Sequence, residues 1–257
     1  MVNAVVLGGG PPDERLAGAY DEPSKALIPL GGAPTIAYVL TALRATPGVG
    51  GIAVAGPAPV LEHPAARAAD LRLPESGSIV DKLGVAAQAF GDGRKLLMVS
   101  CDIPLVSPGV LADVVERCPE DCAFFHPLVE GAAARRDFPE HKWVFLKLRE
   151  GTVVTTNVII LDPGWLARRP DIAQTLEALR RHPTRMALRW GLGFLLRFRL
   201  GLLSLAYCER FFSRFLGAPC RGMICGHTEL AMDLDRPEDV PMLEAWLSRT
   251  GAAGPGA

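Results

Sequence analysis

Short apolar runs alternate along the chain with segments in which apolar positions recur every three or four residues. The uninterrupted runs predict buried strands, and the recurring positions predict amphipathic helices that pack against those strands. Strands are expected at 2–7, 51–55, 95–100, 122–125, 143–148 and 152–161. Helices are expected after Pro34, Ser78 and Ser107, at about 171–182, and from near Pro237. This alternation predicts an α/β protein with a three-layer α/β/α, Rossmann-like arrangement around a mostly parallel sheet.

Polar residues and prolines mark the ends of several predicted helices. Ser78, with Asp81 three residues later, has the spacing of a capping box, and Gly91 is suited to end the helix that Ser78 starts. Pro108 follows Ser107 at a position typical of the first helical residue. By contrast, residues 130–141 (EGAAARRDFPEH) are polar and lack a clear period, so they predict an irregular segment.

The segment 186–216 interleaves leucines and aromatic residues with arginines. Its spacing predicts a pair of helices broken near Gly201 and Ser204, and three roles are open. The helices could cover the sheet or form a subunit contact, bind anionic membrane headgroups peripherally, or wall a pocket for a bulky or lipid-like acceptor. No uninterrupted apolar run reaches the roughly 20 residues of a membrane span. The predicted apolar stripe consists of Trp190, Phe194, Leu195, Phe198 and Leu202.

Composition places the chain among ordinary globular proteins. Its 257 residues are 49% apolar and 21% charged, which favours a single domain over 1–250 with a helical insertion at about 170–217 and a frayed tail at 251–257. A net charge of -1 argues against a polyanion-binding surface, so nucleic acid is not an expected partner. The N-terminus lacks a basic leader followed by a long apolar region, which favours a cytoplasmic location.

The six cysteines are expected to be reduced thiols. Two pairs, Cys118 with Cys122 and Cys220 with Cys225, have His126 and His227 nearby. A zinc site is therefore an alternative to simple packing of these thiols.

Three consecutive glycines follow the first predicted strand, in VVLGGGPPDERL at 5–16. Backbone N–H groups in such a turn can cradle phosphates, although neither the dinucleotide-binding nor the P-loop glycine pattern is present. Pro11 and Pro12 then remove two N–H donors and fix φ at about −65°, which is expected to stiffen the loop and alter its grip on a phosphate. Asp102 follows the strand at 95–100, and strand ends of an open sheet share one edge, so the glycines and Asp102 are expected to line one cleft.

Three motifs resemble those of a known superfamily. The first combines LGGG at 7–10, Arg15-Leu16, and SKALIPLGGAP at 24–34; the second is VSCDIP at 99–104; the third is DLDRPED at 233–239. In this order and spacing they resemble the nucleotidyltransferase superfamily, in particular its MobA-like NTP transferase branch. The resemblance implies a glycosyltransferase-A-type fold of the Rossmann-like class.

The resemblance also implies an activity: Mg²⁺-dependent transfer of an NMP group from an NTP to a phosphorylated or other nucleophilic small-molecule acceptor, with release of pyrophosphate. It implies catalytic roles for Arg15, Lys25 and Asp102, and Mg²⁺ ligation by Asp102 and Asp233, with Asp235 as the competing second ligand. Asn157 is the candidate acceptor-binding residue, and the alternative is that it is a polar residue on the solvent face of the sheet. The implied nucleotide-binding residues are Leu7, Gly8, Gly9, Gly10, Lys25, Ser76, Gly77 and Ser78.

Departures from the family pattern keep other functions open. Pro11 and Pro12 intervene after the glycines and Arg15 comes one residue late, which points to a slow or unusual transferase. A non-catalytic nucleotide-binding or membrane-associated regulatory protein is the main alternative. A nucleotide-sugar glycosyltransferase is disfavoured because its Asp-x-Asp motif would fall mid-chain, where residues 101–104 hold one acid.

Overall fold

The computed structural model describes residues 1–9, 16, 18–169 and 190–250, and elements are numbered over these residues. The strands are β1 (Val2–Leu7), β2 (Pro29–Leu30), β3 (Ala33–Pro34), β4 (Val49–Gly56), β5 (Leu71–Pro74), β6 (Leu96–Ser100), β7 (Phe124–Glu130), β8 (Leu146–Leu148), β9 (Gly151–Thr155), β10 (Val158–Leu161) and β11 (Cys220–Cys225). The helices are α1 (Thr35–Arg44), α2 (Ala58–Glu62), α3 (Ile79–Phe90), α4 (Pro108–Glu116), α5 (Gly131–Asp137), α6 (Pro163–Arg168), α7 (Leu192–Arg199), α8 (Leu205–Leu216) and α9 (Asp239–Thr250). Short 3₁₀ turns lie at Lys25–Leu27, Pro64–Ala68 and Thr228–Leu230.

The central sheet has the strand order β5-β4-β1-β6-β10-β7, and β11 pairs with the other edge of β7. Strands β5, β4, β1 and β6 are parallel, β10 is antiparallel to both of its neighbours, and β11 is parallel to β7. Strands β1, β6, β7 and β11 therefore end at one edge of the sheet. Strand β9 is separated from β10 by Thr156 and Asn157 and pairs with the end of β7, and β8 pairs with β9. The mostly parallel sheet confirms the predicted fold class.

Alternating side chains of β1 show how the helices cover both faces of the sheet. Ala4 and Val6 belong to a buried cluster with residues of α1 and α4. Val5 points to the opposite face, into a second cluster with residues of α3 and α6. The period of two along a strand thus separates two helical layers, as a three-layer fold requires.

The C-terminal helix α9 packs on the segment that carries the first motif. Leu243 and Leu247 of α9 are buried with Ile28, Leu30 and other apolar residues near β2 and β3. The carboxylate of Asp239 accepts hydrogen bonds from the backbone N–H groups of the two residues at 235 and 236, which fixes the third motif at the start of this helix. Sequence-distant motifs are therefore held together by a common apolar cluster.

Most predicted elements are confirmed, and the helix boundaries are the most accurate. The capping box of Ser78 and Asp81 is formed, Gly91 ends α3 in the left-handed conformation, and Ser107 caps α4. The predicted strand at 51–55 is longer, at Val49–Gly56, and the predicted helix near Pro237 is α9.

Four predictions between 122 and 161 are wrong in detail. The strand expected at 122–125 begins at Phe124 and continues to Glu130, and the segment expected to be irregular contains α5, which buries Ala133 and Ala134. Alanine has high helix propensity, and this outweighs the polar residues around it. The strand expected at 143–148 is limited to β8, and Trp143 instead packs on α5, where its Nε1 donates to two backbone carbonyls. The run 152–161 forms two strands instead of one.

The predicted break in the segment 186–216 is confirmed, since α7 and α8 are separated at 200–204. The predicted apolar stripe is only partly correct: Phe194 is buried, but Phe198 and Leu202 are 50% and 43% exposed. Their exposure follows from the packing of α7, which places Phe194 against β8 and β9. The helix expected at 171–182 and the tail at 251–257 lie outside the described residues. Of the helices that the structure describes, none is long and apolar enough to cross a membrane.

Candidate active site

The glycine turn after β1 is held close to two other segments. Gly8 N donates to Ala55 O of β4 at 2.7 Å, and Ser24 Oγ donates to Gly8 O at 2.6 Å. Gly9 has φ of +68°, and a Cβ at this position would lie 3.3 Å from Cys101 Sγ. The left-handed conformation favours glycine here, and a side chain would also fit tightly against Cys101. The turn therefore meets both the first and the second motif.

Lys25 is fixed by backbone and side-chain contacts on both sides. Ser24 caps the 3₁₀ turn that Lys25 begins, and Thr35 Oγ1 donates to Lys25 O at 2.6 Å. Lys25 Nζ lies 2.5 Å from Asp235 Oδ1 and 3.8 Å from Asp102 Oδ2. The ammonium group thus contacts acids from the second and third motifs.

Asp102 lies directly beyond the end of β6 and joins all three motifs. Cys101 N donates to Leu7 O at 3.2 Å, and Leu234 N donates to Asp102 O at 2.9 Å. Ser100 Oγ donates to Asp102 Oδ1 at 2.5 Å, which orients the carboxylate. Its side chain is 13% exposed.

Asp233 is bound by the residue at the break between β9 and β10. Asn157 Nδ2 donates to Asp233 Oδ2 at 2.9 Å. The backbone of Asn157 is also used, because its carbonyl accepts from Ser100 N at 3.1 Å and its N–H donates to Leu230 O at 3.1 Å. The break that interrupts the strand therefore places an amide beside the carboxylates.

The acidic groups at this edge carry more negative charge than the lysine neutralises. Burial raises the pKa of Asp233 to about 7, and the charges of Asp102 and Asp235 add to this shift. Burial also raises the pKa of Asp102, against the lowering effects of the Ser100 hydroxyl and of Lys25. Burial alone would lower the pKa of Lys25, but the hydrogen bond from Lys25 to Asp235 and the charge of Asp102 raise it above its ordinary value. A further cation is the group that would relieve this repulsion.

Comparison with known proteins gives the family. A family model described as the MobA-like NTP transferase domain matches residues 4–191. The chain belongs to the MobA-like NTP transferase family. It is a nucleotidyltransferase by this membership, which confirms the predicted enzyme class. Comparison with curated proteins gives no match.

Solved structures agree with this MobA-like NTP transferase assignment. A structure described as a hypothetical transferase from Thermus thermophilus is 32% identical, with a TM-score of 0.82 over 93% of this chain and 99% of that chain. CMP:2-keto-3-deoxy-manno-octonic acid synthetase complexed with CTP is 14% identical, with a TM-score of 0.60 over 97% of this chain and 98% of that chain. The 2-C-methyl-D-erythritol 4-phosphate cytidylyltransferase from Thermus thermophilus is 16% identical, with a TM-score of 0.53 over 97% of this chain and 100% of that chain. Because the last two are only 14% and 16% identical to this chain, they show a shared fold and nothing more.

The acids of this MobA-like transferase fit a hard divalent cation. Mg²⁺ is commonly held by one or two carboxylates together with substrate phosphates and water, so a pair of aspartates is sufficient. Asp235 is 43% exposed and paired with Lys25, whereas Asp233 is more buried and bound by an amide. This arrangement favours Asp233 over Asp235 as the partner of Asp102. In the described part of the chain, no group of three or more histidine, cysteine or acidic side chains is arranged to hold a metal ion.

The loop with the predicted nucleotide-binding residues Ser76, Gly77 and Ser78 lies beyond the end of β5, on the far side of β4 from β1. The Ser78 hydroxyl is used by the capping box with Asp81, and Gly77 N-terminal to it has a positive φ of 49°. Ser76 Oγ is buried and has no hydrogen-bond partner among the described residues. Of the three residues, Ser76 therefore has the free hydroxyl that a nucleotide could use.

Four residues of the first motif that carry predictions lie outside the described residues. They are Gly10, Pro11, Pro12 and Arg15. Sequence reasoning missed the positioning roles of Ser24 and Ser100. Both could have been found from their position in the sequence, because Ser24 directly precedes Lys25 and Ser100 lies two residues before Asp102.

The two histidines considered for zinc have other partners. His126 Nε2 lies 3.3 Å from Thr156 O, and His227 Nε2 lies 3.0 Å from Asp113 Oδ2. Cys122 Sγ contacts the carbonyl of Phe124 at 3.0 Å. Within the residues that the structure describes, these contacts favour packing over zinc binding.

Proposed function

We propose that this protein transfers an NMP group from an NTP to a phosphorylated or other nucleophilic small-molecule acceptor, with release of pyrophosphate and with Mg²⁺ as cofactor. The supporting observation is that Gly9, Lys25, Asp102 and Asp233 converge at one edge of the sheet through direct or shared contacts. Glycine backbone, ammonium and oxygen ligands are the groups that bind and neutralise a polyphosphate.

In the proposed reaction, an acceptor oxygen attacks the α-phosphorus of the NTP. The bond between that phosphorus and the bridging oxygen to the β-phosphorus breaks, and the electron pair leaves with pyrophosphate. When bound by Asp102 and Asp233, Mg²⁺ supplies charge neutralisation on phosphate oxygens. The protein's main tasks are to hold the two reactants in line and to stabilise charge on the leaving group.

Individual residues divide these tasks. Backbone N–H groups of the glycine turn after Gly8 contact phosphate, because the Gly8 N–H is bonded to Ala55 O. Lys25 shifts from its carboxylate partners to the negative charge of the triphosphate. Asn157, held by Asp233, orients the acceptor, while Ser76 offers its hydroxyl to the nucleotide. Arg15 adds positive charge to the leaving group, as the family resemblance implies.

Asp102→Asn tests this proposal with pyrophosphate release measured over a panel of NTPs and acceptors. Removing one metal-binding carboxylate is expected to lower turnover by about a thousandfold, because metal neutralisation supplies several kcal/mol in such reactions. The Ser100 hydroxyl can still bond the amide, so the melting temperature is expected to stay close to that of the wild type. Asp121→Asn is the control, since Asp121 is exposed and remote from these motifs. Equal turnover of the two variants would refute the role of Asp102.

We also propose that the exposed surface of α7 makes a peripheral contact with an anionic lipid surface. Leu192, Leu196 and Leu200 are 83%, 60% and 58% exposed, and the same helix carries Arg197 and Arg199 without an acidic residue. Exposed apolar residues beside basic ones suit the headgroup region of an anionic bilayer. Cosedimentation with phosphatidylserine vesicles, but not with phosphatidylcholine vesicles, is expected. Equal recovery with both would contradict this contact, and a protein dimer formed through α7 would be the competing outcome.

A further inference from the structure

A second concave site lies beneath α7 and α8, on the part of the sheet formed by β7, β8, β9 and β11. Its volume is about 480 Å³, within the range of about 300–1,000 Å³ that is typical of small-molecule sites. The lining is dominated by rings and aliphatic side chains, including Phe124, Phe194 and Phe212, with His126 and Thr155 at the sheet. We call this space the helix-covered cavity. Its chemistry is that of an apolar ligand site.

One polar atom in this cavity has no partner. Trp190 lines the cavity, and its Nε1 is buried without a hydrogen-bond acceptor among the described residues. Its ring is fixed by edge contacts with Phe194 and Phe212, at centroid distances of 5.0 and 5.7 Å. A buried donor without an acceptor is costly, and an oxygen atom of a bound ligand would satisfy it. The ligand that fits is apolar along most of its length and carries an oxygen acceptor.

The strand order places this cavity on the acceptor side of the candidate active site. The glycine turn and the Ser76 loop follow β1 and β5, whereas β7 and β11 lie on the other side of β6. A nucleotide bound between the glycine turn and the Ser76 loop would therefore extend away from the cavity. An acceptor on the opposite side of the α-phosphorus would lie toward the cavity.

The cavity and the candidate active site are also connected along the chain. Thr155 lines the cavity and is exposed, so it lies at the cavity mouth. It precedes Asn157 by two residues, which is about 7 Å of extended chain. His126, at the cavity floor, contacts Thr156 O through Nε2 at 3.3 Å. One short segment thus borders the cavity and places the amide that binds Asp233.

We propose that the helix-covered cavity binds the acyl chain of an amphiphilic acceptor whose polar head reaches Asn157. This inference rests on the proposed function, and it assigns the acceptor to the class of single-chain phosphorylated amphiphiles. In the reaction a phosphate oxygen of the head attacks the α-phosphorus of the NTP, a phosphoanhydride bond forms, and pyrophosphate leaves. The chain contributes binding and position and takes no part in bond changes.

Binding of the chain can be measured without nucleotide, with 12-bromododecanoic acid as the probe. Bromine quenches tryptophan fluorescence on contact, and the protein has tryptophans at 143, 165, 190 and 246. Quenching is expected in the wild type and is expected to be lost in Trp190→Phe, which keeps the ring packing but removes the reporter and the N–H donor. Dodecanoic acid is the optical control. Equal quenching of the wild type and Trp190→Phe would overturn the proposal.

A matched pair of variants tests the location independently of Trp190. Thr155→Phe adds a ring at the cavity mouth and is expected to raise the Kd for bromododecanoate at least about tenfold. Val144→Phe adds the same bulk at a site that is 79% exposed and does not line the cavity, and it is expected to change the Kd by less than about twofold. Within a series of fatty acids, each added methylene is expected to tighten binding about fourfold until the cavity is full. Equal affinities of the two variants, or no dependence on chain length, would overturn the proposal.

Turnover separates this inference from the proposed function. Pyrophosphate release with CTP and the other NTPs is compared for dodecyl phosphate and methyl phosphate as acceptors. Preference for dodecyl phosphate that is lost in Thr155→Phe but kept in Val144→Phe supports both proposals. Equal use of both acceptors keeps the nucleotidyl transfer and overturns the assignment of the acceptor. Chain binding without pyrophosphate release from any NTP and acceptor overturns the proposed function, while the quenching result still identifies the cavity as an acyl-chain site.

Discussion

The sheet edge at β1 and β6 and the helix-covered cavity differ in how their residues are held. At the edge, Lys25, Asp102 and Asp233 each have a polar partner, and the hydrogen bonds of the two aspartates are 2.5 and 2.9 Å long. Beneath α7 and α8 the contacts are mainly between rings, such as Phe194 and Phe211 at a centroid distance of 4.6 Å. Hydrogen bonds fix direction, whereas apolar contacts mainly require volume.

This difference has a functional consequence. Buried like charges repel one another, so the edge is stabilised by whatever brings positive charge, and it favours one kind of ligand. A cavity lined mainly by apolar groups is expected to accept any apolar group of suitable size, and so to have a broader specificity than the edge. We therefore expect substitutions at the edge to lower turnover strongly, and substitutions around α7 to have graded effects that depend on how buried the residue is.

After Asp102→Asn, the largest effect is expected from Lys25→Met, which keeps most of the side-chain length but removes the charge. Its ammonium contacts Asp235 and Asp102, and no other lysine or arginine makes an ion pair with these acids among the described residues. Turnover, measured by pyrophosphate release, is expected to fall about a hundredfold, as for loss of a charge-stabilising group. Lys142→Met is the control for a lysine outside this cluster. Equal losses of turnover in both variants would contradict a specific role of Lys25 at the sheet edge.

Gly9→Ala is expected to have the next largest effect, on stability. A side chain at φ +68° costs about 1–2 kcal/mol, and the added Cβ would lie 3.3 Å from Cys101 Sγ. The free energy of unfolding in urea is expected to fall by that amount. Gly84→Ala is the control, because Gly84 is inside α3 and a Cβ there would contact nothing within 4 Å. That variant is expected to gain about 1 kcal/mol, and similar losses in both would contradict a specific constraint at the glycine turn.

Metal affinity is expected to increase with pH. Asp233 has a pKa raised to about 7, so it is largely protonated at about pH 6 and ionised at about pH 8. Mn²⁺ affinity, measured by calorimetry, is expected to rise about tenfold across this interval, because the proton must leave before the metal binds. Asp233→Asn is expected to lose most of this dependence, and Asp121→Asn to keep it.

The metal-free protein has the opposite dependence. An acid whose pKa is raised on folding binds its proton more tightly in the folded state, so its contribution to stability is full below the unfolded pKa of about 3.8 and is lost as the pH rises to about 7. The melting temperature of the wild type without metal should therefore fall over this window more steeply than that of Asp233→Asn. Identical slopes would contradict the raised pKa.

The smallest effect is expected from Leu196→Ser on α7. Leu196 is 60% exposed, so its replacement is expected to change the free energy of unfolding by less than about 0.5 kcal/mol. Leu203→Ser is the matched contrast, because Leu203 is 4% exposed and belongs to the cluster beneath the helices. That variant is expected to lose several times more stability in the same urea titration. Equal losses would show that α7 is packed more uniformly than its exposure indicates.

Sequence by itself determined the elements whose signals are local. The apolar run of β1, the capping box at Ser78 and the glycine that ends α3 depend on residues within a few positions of one another, so they could be predicted without knowledge of the fold. The three motifs likewise indicated the family, because their residue types and spacing are visible along the chain.

Tertiary structure alone decided the contacts that join distant segments. The strand break at Asn157, the bond from Ser24 to Gly8, and the different partners of Asp233 and Asp235 depend on residues brought together from different parts of the chain. The same is true of the cavity, which exists only because α7 and α8 fold back over β7 and β9. Patterns along a chain record which residues prefer to be buried or to end a helix, whereas charge repulsion, ligand space and unpartnered donors arise only from distances that the folded chain sets.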